Sequence, residues 1–127
     1  MRGTKLAFRT EPGQIIPLGT ITDLTKDLYN GIPVKSYPTI RVVCGNYKGS
    51  ETDVTFYITI NQEGELVDQL DTVTLSPGNS FTNTYDVPGI GLTILAEAAA
   101  GSGSDKVRVL AFVYGFSPFA HKNNHCD

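Results

Sequence analysis

From residue 39 to residue 116 the chain alternates apolar and polar positions with a period of two, and no stretch follows the 3.6-residue period of an amphipathic helix. The pattern predicts a fold made almost wholly of strands. In "DVTFYITI", Val54, Phe56, Ile58 and Ile60 face one way while Thr55, Tyr57 and Thr59 face the other, as successive side chains of a strand must. Phe81, Tyr85 and Val87 share a side in the same manner, and so do Leu92, Ile94, Ala96 and Ala98. Thr, Val, Ile and Tyr dominate these runs, side chains that suit a pleated, half-buried surface.

Turn signals separate the runs: "GNYKGSET", "NQEGE", "SPGNS", "VPGIG" and "GSGSD". Pro77-Gly78 and Pro88-Gly89 read as turn centres, because Pro presets φ and the following Gly accepts a positive value. Gly64 serves the turn between "FYITI" and "ELVDQL". Two runs depart from simple alternation. In "ELVDQLDTVTL" the apolar positions are Leu66, Leu70, Val73 and Leu75, so the parity changes near Asp71 and Thr72, which predicts a bulge or a break. In "KVRVLAFVYGF", Val107 and Val109 alternate but Leu110 to Tyr114 is apolar on both sides, as in a central strand or one whose second face meets a partner subunit.

The N-terminal third carries weaker signals. "KLAFRT", "QIIPLGTIT" and "GIPVKSY" read as short edge strands, since Pro17, Pro33 and Pro38 cannot donate to a ladder. "TDLTKDLYN" has the composition of one helical turn capped by Thr22 or Asp23. Residues 1–13 and 117–127 also read as an N-terminal arm and a C-terminal tail. About eight or nine short strands with turn punctuation predict a two-sheet antiparallel β-sandwich, of jelly-roll type, as a single domain over 1–127. An immunoglobulin-like order is the alternative, and the lack of any Trp counts against it.

Composition narrows the partners. A net charge of -3 and singly scattered Lys and Arg residues predict neither a nucleic-acid partner nor attraction to an anionic membrane. No apolar run approaches the roughly 20 residues of a membrane-spanning helix, and Leu6-Ala7-Phe8 is far short of a secretory signal core. The sequence leaves the localisation open, a surface, spore or virion assembly included. Cys44, inside "TIRVVCG", reads as a small buried hydrophobe.

Chemistry-bearing residues concentrate at the C-terminal end. His121 and His125 are spaced to share one side of a helix, and Cys126 and Asp127 add donors, which makes the group a weak metal-ligand candidate. Pro118 and Asn123-Asn124 oppose a stable helix there, so a solvated tail is the expectation and no metal or other cofactor is predicted. A nucleophile would need an adjacent base, and both histidines lie in this tail; Ser102 and Ser104 of "GSGSD" read as turn residues, and no catalytic residue is assigned. The carboxylate pairs Glu51 and Asp53, Glu63 and Glu65, and Asp68 and Asp71 lack the aromatic cleft of a glycosidase and the spacing of a calcium loop, and read as solvated turn residues. The G-x-G of "VPGIG" precedes a strand rather than a helix, which leaves it a turn.

Aromatic residues outnumber what one small core requires. Tyr57 and Phe112 fall opposite the apolar side of their strands, and with Tyr114, Phe116 and Phe119 they are the candidate interface. The pattern resembles the architecture of small jelly-roll subunits of bacterial surface, spore or phage assemblies. That resemblance implies a non-enzymatic structural subunit that forms a homo-oligomer. A carbohydrate- or ligand-binding sandwich module is the alternative and would require two or three exposed tyrosines in a row.

Overall fold

In the computed structural model residues 4–26, 31–62, 65–86, 89–99 and 107–116 are described, and every regular element among them is a strand. In chain order these are β1 (Thr4–Arg9), β2 (Gln14–Ile16), β3 (Ile21–Asp23), β4 (Ile32–Pro33), β5 (Thr39–Asn46), β6 (Val54–Gln62), β7 (Glu65–Leu75), β8 (Ser80–Asp86), β9 (Gly91–Ala98) and β10 (Val107–Phe116). The first sheet runs β1-β10-β5-β8, with β2 also on β10; the second runs β3-β9-β6-β7, with β4 also on β9. All of these pairs are antiparallel. From β5 onward only β6 and β7 form a hairpin within one sheet; the other steps cross between sheets, and the first strand returns to pair with the last. This is the interleaved double Greek key of a jelly roll, as the sequence predicts, and not an immunoglobulin order. The strands exceed the expected number because β2 and β4 are pieces of three and two residues beside Pro17 and at Pro33.

The core lies between the sheets and is assembled from the inward side of each alternation. Val54, Phe56 and Ile58 of β6 pair with Ala98, Ala96 and Ile94 of β9, and all six are fully buried. From the first sheet Val107, Val109, Ala111 and Val113 of β10 and Ile40, Val42 and Cys44 of β5 complete it. Burying each such Val, Ile or Phe contributes roughly 1.5–3 kcal/mol, so these rows dominate the stability of the sandwich. Cys44 is a buried, free thiol beside Ala111, and burial pushes its pKa up to about 12, so it behaves as a small hydrophobe. Gly115 ends the inner row of β10. A Cβ there would collide with the Tyr37 ring, so the glycine is what lets Tyr37 close that end of the core.

The parity change in β7 is a bulge rather than a break. Ile58 faces Asp71 and Thr59 faces Gln69, which passes over Leu70, and a second shift follows between Ile60 and Asn61. The strand stays continuous over 11 residues, and the passed-over Leu70 packs against the core at the first bulge. A further shift, between Leu6 and Phe8 of β1, has no counterpart in the sequence reading.

Two N-terminal expectations need correction. Thr22 and Asp23 of "TDLTKDLYN" belong to strand β3 (Ile21–Asp23) on β9, followed by a turn in which Asp23 Oδ1 accepts the Thr25 N–H at 2.9 Å and Lys26 takes φ 62. Asp23 therefore caps a turn and not a helix: one turn has too few bonds to offset nucleation, whereas the β9 edge offers ladder bonds at once. Residues 27–30 lie outside the described set. The arm reading of 1–13 fails from Thr4 onward, where β1 and β2 pair with β10 and Thr10 exchanges bonds with Ala111, donating its N–H at 3.0 Å and accepting at Oγ1 at 3.1 Å. Residues 1–3 and 117–127, with the whole of the predicted C-terminal tail, are outside the described residues.

Candidate functional site

Strand β10 is flanked by β1 and β2 on one side and β5 on the other, which makes it central and fixes its two faces. Its inner face is Val107, Val109, Ala111, Val113 and Gly115, all buried; its outer face is Arg108, Leu110, Phe112, Tyr114 and Phe116, none fully buried. Directly paired residues of an antiparallel ladder share a side, so the outer face of the first sheet can be written as rungs. They run Thr4-Phe116-Thr39-Asp86, then Leu6-Tyr114-Arg41-Thr84, then Arg9-Phe112-Val43-Thr82, with Leu110-Gly45-Ser80 and Ile15-Arg108 beyond. The Phe112 and Tyr114 rings stand 6.3 Å apart at 48°, within the range of favourable tilted aromatic pairs. The Arg41 guanidinium lies 5.5 Å from the centroid of Phe116, a cation–π contact. Leu6 and Ile15, 46% and 55% exposed, extend this apolar stripe toward the sheet margin.

The loop from Tyr47 to Asp53 is tied to the same face. Ser50 Oγ accepts the Arg108 N–H at 2.9 Å and donates to the Arg108 carbonyl at 3.1 Å, and the Tyr47 N–H donates to that carbonyl at 2.9 Å. The ladder to β10 thus continues past the end of β5. Tyr47 Oη accepts the Gly13 N–H at 2.9 Å. On either side of Tyr47 lies an open hollow, one of about 410 Å³ with Pro12, Gly13, Ile15 and Arg108, the other of about 240 Å³ with Lys48, Asn79, Ser80 and Leu110.

The second sheet presents a different surface. Its outward rungs are Ile21-Glu97-Thr55-Thr74 and Asp23-Leu95-Tyr57-Thr72, with Thr93-Thr59-Gln69 beyond, where Thr93 and Thr59 are buried. Tyr57 donates its hydroxyl to Glu97 Oε1 at 2.7 Å, and that hydrogen bond raises the phenol pKa. At the open edge between β7 and β8, Asp71 Oδ2 accepts from the Tyr85 hydroxyl at 2.6 Å and from the Asn83 amide at 3.3 Å. Desolvation and the adjacent carboxylate both raise the Tyr85 pKa.

Of the interface residues expected from the sequence, Phe112, Tyr114 and Phe116 share one face, while Tyr57 lies on the outer face of the opposite sheet. Phe119, His121, His125, Cys126 and Asp127, like Ser102, Ser104 and Glu63, fall outside the described residues. Glu51, Asp53 and Asp68 are exposed, and among the described residues no group of three or more His, Cys, Asp or Glu side chains could hold a metal ion. Among the described residues the tyrosines form no row: Tyr37 covers Gly115, Tyr85 lies at the β7–β8 edge, and Tyr47, Tyr57 and Tyr114 are on separate rungs or loops. Sequence reasoning missed Leu6, Ile15 and the outward arginines Arg9, Arg41 and Arg108. The signal was present, since each arginine occupies a position of outward parity in its own strand.

The sequence matches no protein-family model and no curated protein. Solved structures resemble it in fold at low identity. A chain from the disulfide-linked pili of Bacillus endospore appendages aligns with a TM-score of 0.51 and 8% identity over 92% of this chain and 90% of its own. The tobacco streak virus coat protein aligns at 0.45 and 10% over 90% and 85%, and a xylan-binding domain of carbohydrate-binding module family 22 at 0.37 and 13% over 86% and 85%. What the chain shares with the first of these is the fold alone.

Proposed function

We propose that this protein is a non-enzymatic structural subunit, of a bacterial surface, spore or phage particle, that self-associates through the outer face of its first sheet. The observation that carries this is the row Leu110, Phe112, Tyr114 and Phe116 with Leu6 and Ile15 beside it, large apolar side chains that the described chain leaves part-exposed. Sedimentation velocity or light scattering of the purified protein across micromolar concentrations tests it. A concentration-dependent rise in mass is expected; a strict monomer at high micromolar concentration overturns the reading.

A second reading is a carbohydrate-binding module. Tyr47 favours it, as an aromatic ring between two hollows that also hold Arg108, Lys48, Asn79 and Ser80, the mixture of ring face and hydrogen-bonding groups that sugars require. A glycan array showing binding that Tyr47→Ala abolishes supports this reading, and an array without hits removes it.

A further inference from the structure

Charge is segregated between the two sheets. The strands of the first sheet hold Lys5, Arg9, Arg41 and Arg108 against one carboxylate, Asp86, whereas those of the second hold Asp23, Glu65, Asp68, Asp71 and Glu97 and no Lys or Arg. The three arginines are exposed on outward rungs, and Asp86 sits at the margin, where its Oδ1 accepts from the Thr39 hydroxyl at 3.1 Å. A modest net charge of -3 conceals a difference between the outward rungs: those of the first sheet carry Arg9, Arg41, Arg108 and Asp86, and those of the second carry Asp23 and Glu97 with no cation, while Asp68 and Asp71 pair with the inward Ile60 and Ile58 and Lys5 with the inward Gly115. Each face also offers apolar surface: Leu6, Phe112, Tyr114 and Phe116 on the first, and Ile21, 56% exposed, with Leu95 and Tyr57 on the second.

Resting on the self-associating reading above, we propose that the occupant of the first sheet's outer face is the second sheet's outer face of another copy of this chain. Two first-sheet faces meeting about a twofold axis would set Arg9, Arg41 and Arg108 of one copy against the same set of arginines on the other, and like charges brought together cost several kcal/mol. The second sheet's outer face supplies what the basic face needs: Glu97 and Asp23 on adjacent rungs, with Ile21, Leu95 and the Tyr57 ring beside them to meet Phe112 and Tyr114. Because the two faces lie on opposite sides of one sandwich, the contact is head-to-tail and does not close on itself. It generates an open stack or filament rather than a dimer. Association through such faces weakens with salt, since the screening length falls from about 30 Å at 0.01 M to about 3 Å at 1 M ionic strength.

Charge reversal with mixing tests the pairing. Arg41→Glu spoils the basic face and Glu97→Lys the acidic face, so each variant alone is expected to associate at least about tenfold more weakly than the unaltered protein. Mixed in equal amounts, the two recover association to within a few-fold, because the reversed faces now complement each other. Thermal melts confirm that both variants fold; if Glu97→Lys does not, Thr74→Lys puts the same charge on the same rung. The proposal is overturned if the unaltered protein assembles but both variants assemble equally well, if the mixture recovers nothing, or if the assembly is a closed dimer. It is also overturned if Arg41→Glu alone matters and what it loses is binding to an anionic polysaccharide such as dextran sulfate. An unaltered protein that stays monomeric instead sinks the self-associating reading itself, so the two failures are told apart by the parent molecule.

Discussion

The two faces of β10 invert the usual order of side-chain size. Inside, facing the core, stand Val107, Val109, Ala111, Val113 and Gly115; outside stand Arg108, Leu110, Phe112, Tyr114 and Phe116. The small inner set is explained within the chain, because the space between the sheets is already occupied by Phe56, Ile58 and Ile94 of the second sheet and by Tyr37 over Gly115. The large outer set has no such explanation. Packing alone would place the aromatics where they gain most from burial, and the proposed association is what would bury these outer rings.

The inner face should therefore answer to stability and the outer face to association. The largest expected effect is on the inside. Phe56→Ala removes the largest fully buried side chain and should cost about 3–5 kcal/mol of folding free energy, read as a drop in the urea midpoint at unchanged slope. A loss below about 1 kcal/mol would show that the core is not the close-packed space the argument about size requires. Cys44 gives the next effect, and its sign follows from burial. The thiol's folded pKa of about 12 lies above its ordinary 9.0, so the folded state keeps a proton that the unfolded chain releases. The stability from the neutral thiol is intact below pH 9.0 and is lost progressively as pH rises toward about 12. Across that window stability should fall by about 1.4 kcal/mol per pH unit for this group, and Cys44→Ala should flatten the slope. Equal slopes in the two proteins would show that Cys44 is more hydrated than its position beside Ala111 requires.

How far these faces were legible in the sequence differs in an instructive way. Alternation assigns a residue to one side of its own strand, and on that ground the inward rows of β6, β9 and β10, the buried Cys44 and the bulge beside Asp71 could all be read from residue order alone. Alternation does not assign a strand to a sheet. Tyr57 and Phe112 were both correctly placed away from the core, yet they lie on opposite sides of the sandwich, because β6 belongs to the second sheet and β10 to the first. The same gap hid the charge segregation: Arg9, Arg41 and Arg108 are distant in sequence, and only the pairing of β1, β10 and β5 brings them to one face. The N-terminal strands were faint for another reason. Segments of two or three residues, such as β2 and β4, carry no measurable period and are fixed by the ladder that receives them.

Adjacent residues of β10 give the third and fourth tests. Ala111→Leu adds three carbons to a fully buried position and should cost roughly 1–3 kcal/mol through overpacking. Beside it, Phe112→Ala trims an outward ring held against Tyr114 at 6.3 Å, and should cost less than about 1 kcal/mol, the scale of one tilted aromatic pair. Sedimentation should reverse the ranking: Ala111→Leu, wherever it remains folded, associates like the parent, whereas Phe112→Ala associates more weakly by about tenfold or more if the ring sits at the centre of the contact. Both measurements are needed on both variants. A Phe112→Ala protein that loses stability as Ala111→Leu does would mean that the ring is packed within its own chain, and the inverted order of sizes in β10 would then need no partner. A Phe112→Ala protein that is as stable as the parent but no longer associates leaves the outer face with one use, which is contact with another molecule.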